Sequence, residues 1–293
     1  MKNRKKAYIF AITAIGFWST VASAFKLTLR HMTPEFMILY SSLFSLAVLA
    51  LIIIIQGKSA MLFSSRKKEL LMSALLGTLN PFLYYILLFR AYSLLPAQEA
   101  MTLNYIWPIM LMLLSVPLLG ERLSPVSIFA ALISFSGVAV IATGGDITGL
   151  NFSNAAGVAL ALSSSVVWAL FWLLGVRDRR DETVTLFTNF LFGTVYIIIY
   201  IMISGDIVLP PLPGITGCIY IGLFEMGITF VAWSLALRYA ENTASISNLV
   251  FLSPFMSLLL ISVVVGEKIT LSTVSGLVLI IAGIIIQNRF SKN

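Results

Sequence analysis

A single carboxylate stands at the centre of a long apolar run: Glu225, within Gly222-Leu223-Phe224-Glu225-Met226-Gly227. An ionised acid in hydrocarbon is costly, so such a residue is a functional candidate by default, here as a proton carrier between two states. Trp18, Trp107 and Trp168 also fall near the middle of apolar runs, although Trp ordinarily prefers the membrane–water interface. Indole offers a flat apolar face and one N–H donor. Its ring face also attracts an ammonium group, by about 0.5–2 kcal/mol. Tyr84, Tyr85 and Tyr105 follow the same logic. Asn80 stands in the third run at the place Glu225 occupies in the eighth, a polar but non-ionisable counterpart. Asn104 and Asn248 precede Pro108 and Pro254, and their amides need partners, of which a substrate carboxylate is one. The substrate-binding set expected is therefore Trp18, Asn80, Tyr84, Asn104, Tyr105, Trp107, Trp168 and Asn248, with Glu225 as the proton-coupling candidate. Plain helix packing is the competing account of each.

Other reactive patterns lead nowhere. Gly57-Lys58-Ser59 lacks the earlier glycine of a phosphate-binding loop, since Ile53 stands there. Ser23-Ala24-Phe25-Lys26 matches a short nucleophile pattern without supporting partners. Glu121 and Glu267 each sit at a helix end beside a basic residue, which suits a loop-stabilising pair better than catalysis. The lone histidine, His31, falls in a loop, and the lone cysteine, Cys218, in an apolar run. No metal-ligand cluster, cofactor motif or intrachain disulfide is expected.

The elements that carry these residues are set by composition. Of the 293 residues, 59% are hydrophobic and 11% charged, against roughly 25% charged in an average soluble domain. The apolar residues come in runs near the ~20 needed to span a bilayer, where backbone groups must be satisfied internally, so the runs should be helices. The spans are placed at 7–25, 34–55, 70–91, 97–118, 125–143, 154–176, 183–203, 214–237, 243–264 and 271–289. The first run exceeds a signal-peptide core and is read as a retained helix. With the N-terminus in the cytoplasm, every basic residue except Lys26, Arg30, Arg90 and Lys268 falls on the cytoplasmic side, as the positive-inside rule requires. The net charge of +7 is thereby a topology signal and no sign of nucleic acid. Both termini are expected in the cytoplasm of a cell-membrane protein, a monomer or homodimer.

Residues 104–137 align with 250–283 without a gap: Pro108 meets Pro254, Gly120-Glu121 meets Gly266-Glu267, and Gly137 meets Gly283. Trp18 and Trp168 correspond as well. The chain thus divides into 1–146 and 147–293, five spans each. Five is odd, so the second unit enters the membrane from the opposite side. The expected fold is all-α integral membrane, ten transmembrane helices in two inverted-topology five-helix repeats, a recurrent transporter design with substrate near the midplane.

These features resemble the EamA family of the drug/metabolite transporter superfamily, on Gly120-Glu121-Arg122-Leu123-Ser124, Gly266-Glu267-Lys268-Ile269-Thr270 and Ala236-Leu237-Arg238-Tyr239. A narrower likeness is to bacterial aromatic amino acid exporters, on Asn104-Tyr105-Ile106-Trp107-Pro108, Trp18-Ser19-Thr20 and Ala232-Trp233. The resemblance implies a secondary transporter exporting amino acids, aromatic ones among them, or related small metabolites by alternating access, with a small-molecule substrate and the lipid bilayer as partners. The alternatives are a transporter of another metabolite or drug class, or a membrane-embedded enzyme acting on lipid. The scattered acidic residues argue against the enzyme.

Overall fold

The computed structural model describes residues 3–120, 124–146, 154–175, 178–204, 209–239, 246 and 248–290. Ten helical stretches follow one another among them: α1 (Arg4–Thr28), α2 (Pro34–Ile55), α3 (Lys67–Leu94), α4 (Ala97–Leu119), α5 (Pro125–Ala142), α6 (Ala155–Gly175), α7 (Glu182–Ser204), α8 (212–239), α9 (248–265) and α10 (Leu271–Phe290). A five-residue turn of helix, Ser59–Phe63, lies in the α2–α3 link. Eight helices are long and apolar enough to cross a membrane, accompanied by the shorter apolar helices Leu249–Val265 and Leu271–Gln287 among the described residues. The ninth expected run opens at 243, outside those residues.

Helix starts follow local chemistry. Asn3 Oδ1 accepts from Lys6 N at 3.0 Å, and Ser124 Oγ accepts from Ser127 N at 3.1 Å, with Pro125 in the first turn of α5. Both arrangements satisfy amides that a helix start leaves unpaired.

Four helices are interrupted, and the interruptions carry polar residues. In α3, Asn80 leaves helical geometry (φ −142°, ψ 118°) inside a π-type segment, Thr78–Leu83. Pro81 follows it, and the residue before a proline is pushed to extended backbone. In α8 a second π-type segment, Ile221–Glu225, ends on the central carboxylate. Such bulges are frequent at functional sites. In α4 the helix stops at Asn104 and restarts at Trp107, with Pro108 in the first turn of the new piece. In α9 a 3-10 segment, Asn248–Leu252, hands over to Ser253–Leu260 with Pro254 in its first turn. A proline without an N–H is tolerated where a helix begins anew.

The helices pack in reciprocal pairs. α1 lies against α8 and α9, and α6 lies against α3 and α4. α2 packs on α7, and α5 packs on α10. The α5–α10 contact is close enough to exclude side chains. A Cβ at Gly137 would come within 2.5 Å of Gly276 O, and one at Gly283 within 2.5 Å of Ala130 O. Backbone approach through small residues is how helices associate in lipid, where apolar burial gives no drive. α3 and α7 meet in the same way, a Cβ at Gly77 falling 2.5 Å from Asn189 O.

Candidate substrate site

A cavity of about 530 Å³ lies among the helices, within the range of small-molecule sites. Its walls draw on α1, α3, α4, α6, α8 and α9, and include Trp18, Tyr84, Asn104, Tyr105, Trp107, Trp168 and Glu225. Asn80 is absent from the lining. It is fully buried at the α3 interruption, and neither side-chain amide atom has a partner. Its extended backbone breaks the helical periodicity that would have put it in phase with Tyr84. The side chain of Asn248 falls outside the described residues.

The aromatic wall is continuous. Trp168 stacks on Tyr84 with centroids 4.5 Å apart and planes inclined by 29°. Phe230 of α8 touches both Trp168 (5.9 Å) and Trp18 (6.3 Å), linking the tryptophans of α6 and α1. Trp233 adds a ring 5.3 Å from Trp18, and Trp172 stands edge-on to Trp168. Trp172 was missed in the sequence, although it lies one helical turn beyond Trp168 and therefore on the same face. Ser253 and Ser257 of α9 also line the cavity, marked in the sequence only by their proximity to Pro254.

Polar groups are few and placed. Tyr85 Oη donates to Glu225 Oε1 at 3.1 Å, and Glu225 Oε2 has no protein partner. Asn104 Nδ2 donates to Ser164 Oγ at 2.8 Å, while Tyr84 Oη approaches Asn104 Oδ1 at 3.4 Å. Tyr105 Oη reaches Val250 O at 3.4 Å, a carbonyl in the 3-10 segment, where a helix leaves acceptors free. No cluster of three or more potential metal ligands exists among the described residues.

A polar latch ties α1, the α3–α4 turn and the α9–α10 loop together. Lys26 Nζ donates to Tyr92 O (2.8 Å) and Leu95 O (2.6 Å), tying α1 to the α3–α4 turn. Glu267, read from sequence as paired with its basic neighbour, instead accepts from Ala97 N (2.9 Å) and Gln98 N (3.3 Å) at the start of α4. The helix dipole favours a carboxylate there. Gln98 completes the tie by donating to Lys268 O and accepting from Thr270 N, each at 3.0 Å. Away from the cavity lining, Arg180 Nη2 pairs with Asp178 Oδ2 and donates to Ser73 Oγ, both at 2.6 Å, so the α6–α7 link is fixed to α3. Glu121 lies outside the described residues.

An aromatic chamber with one acid among the described residues, enclosed by apolar helices mostly of membrane-crossing length, is a site suited to a multi-pass membrane transporter for small molecules. The comparisons agree. The EamA-like transporter family model matches residues 5–143 and again 155–289, and the chain belongs to that family. It is 25% identical over 265 residues to the aromatic amino acid exporter YddG of Ancylobacter novellus, covering 89% of each chain. It is 28% identical over 296 residues to a probable terminal-alkyne amino-acid exporter of Streptantibioticus cattleyicolor, covering 99% of this chain and 95% of that one. A solved crystal structure matches the fold with a TM-score of 0.69 at 22% identity over 99% of both chains.

Proposed function

We propose that this transporter exports amino acids, aromatic ones among them, or related small metabolites across the cell membrane by alternating access. The single observation that carries the reading is the aromatic cavity holding one intramembrane carboxylate among the helices. Trp18, Trp107, Trp168 and Tyr84 enclose the substrate ring, Asn104 and Tyr105 orient its polar end, and Glu225 exchanges a proton as the cavity changes sides. Relatives named as amino-acid exporters support the substrate class.

The transport cycle follows from an inverted pair of five-helix units, 1–146 and 147–293, crossing the membrane ten times with both termini in the cytoplasm. Supporting it, the family model matches twice, and each contact of α1 with α8 and α9 has its counterpart in α6 with α3 and α4. The interruptions of α4 and α9 also fall at equivalent prolines, Pro108 and Pro254. Two related conformations of one such assembly open the same site to opposite sides.

The test is counterflow in proteoliposomes. Vesicles preloaded with unlabelled phenylalanine should accumulate labelled phenylalanine, and Glu225→Gln should remove the dependence of the rate on a pH gradient. Absence of counterflow for any amino acid would reject the substrate class. An unchanged pH dependence in Glu225→Gln would reject the role of the carboxylate.

A further inference from the structure

The charge inventory of the cavity is one-sided. Among the described residues Glu225 is its only acid, and no Lys, Arg or His stands in the lining. The nearest base along α1, Lys26, is held by two backbone carbonyls at 2.8 and 2.6 Å and is not part of the lining. The other titratable groups facing Glu225 are phenols, Tyr84, Tyr85, Tyr92 and Tyr105. Against its segment α1 brings Phe17 and Thr20, and α2 brings Ser41, Phe44 and Ser45. Tyr220, one turn earlier in α8, is engaged with Thr20 at 2.6 Å. None of these supplies a positive charge.

An amino-acid zwitterion therefore meets half a counter-charge set. Its ammonium group finds a carboxylate oxygen without a protein partner, Glu225 Oε2, which is 92% buried with its residue, and a wall of indole and phenol faces. Its carboxylate finds only neutral donors, among them the unpartnered Trp172 Nε1 and Ser257 Oγ. A buried anion with neutral partners alone is held poorly, whereas a cation facing a carboxylate makes a charge-assisted bond. Aromatic rings add attraction for a cation and none for an anion.

We infer that the site selects protonated aromatic monoamines over the corresponding amino acids and rejects aromatic carboxylates, with the unpartnered oxygen of Glu225 taking the ammonium group inside the tryptophan-lined cavity. This deepens the substrate class proposed above and rests on that reading of the cavity as the transport site.

The test uses three ligands with one ring: 2-phenylethylamine, phenylalanine and 3-phenylpropionate, a cation, a zwitterion and an anion. Binding to the purified full chain in detergent is followed by tryptophan fluorescence at about pH 8, above the ordinary carboxylate range. The amine should bind about 10-fold or more tighter than phenylalanine, because both ammonium groups meet Glu225 but only the zwitterion carries a carboxylate left with neutral partners, and the propionate should bind weakest. Glu225→Gln should weaken the amine and phenylalanine alike by about 10-fold or more, the loss of one charge-assisted hydrogen bond, while Glu225→Asp should keep the binding of both. Equal binding of the three by the unaltered protein would overturn the inference whether or not either variant folds. So would undiminished amine binding by folded Glu225→Gln. Phenylalanine counterflow without amine preference would sink this inference and leave the transport reading standing. Amine preference with no counterflow of any of the three ligands would do the reverse.

Discussion

Tyr85 Oη donates to Glu225 Oε1 across 3.1 Å, a bond between helices 140 residues apart in the chain. It fixes one oxygen of the central acid, and the other is buried without a protein partner in a residue that lines the cavity. Removing the phenol oxygen should leave a buried acceptor without a partner. Tyr85→Phe is expected to lower stability by about 1–3 kcal/mol, read as a lower thermal midpoint in detergent, with the aromatic wall preserved.

Glu267 is the acid that closes the latch. Glu267→Ala should expose the start of α4, costing about 0.5–2 kcal/mol as for other lost caps, and should loosen the tie between the α3–α4 turn and the α9–α10 loop. A cysteine placed at Gln98 should react faster with a polar maleimide in the Glu267→Ala background than without it. An unchanged rate would mean that the latch is held by other contacts.

Asp178 supplies a pH test away from the cavity. Burial alone would raise its carboxyl, but the hydrogen bonds from the Arg180 guanidinium and backbone N–H, with the Arg180 charge, outweigh it and hold the group below its ordinary value of 3.8. A folded value below the unfolded one binds fewer protons, so the pair stabilises the fold above about pH 4. That stability fades as pH falls through the depressed folded value. Asp178→Asn should flatten the acid limb of the stability curve. An acid limb identical to that of the unaltered chain would assign the loss to other carboxylates.

Gly137 tests the α5–α10 contact. Gly137→Val places side-chain atoms against Gly276 O and the Ile280 side chain, an overpacking expected to cost about 1–3 kcal/mol. Gly16, whose added Cβ meets nothing within 4 Å, is the control: Gly16→Ala should be tolerated and gain helix propensity.

The helical membrane fold was legible because span length and charge sorting are one-dimensional signals. Gly137 and Gly283, matched only as a repeat in the sequence, prove to be the small residues that let α5 and α10 touch. Glu225, Trp18 and Trp168 stood out because a carboxylate and indoles at mid-span defy the usual preferences of hydrocarbon. What stayed hidden depended on three-dimensional neighbours. Nothing near Glu267 in the chain points to the amides of Ala97 and Gln98, and nothing near Glu225 points to Tyr85. Asn80, equated in sequence with Glu225, lies buried outside the cavity lining. Pro81 follows the one and not the other, and the extended residue before a proline shifts the face that its neighbours present.

Alternating access, as proposed, requires the latch between the α3–α4 turn and the α9–α10 loop to open. Gln98 and Lys268 face each other across it, side-chain Nε2 to backbone O at 3.0 Å. With cysteines at both positions joined by a short bifunctional maleimide, transport in proteoliposomes should stop, while either single cysteine treated alike should transport normally. Undiminished transport by the fully cross-linked double variant would contradict the account.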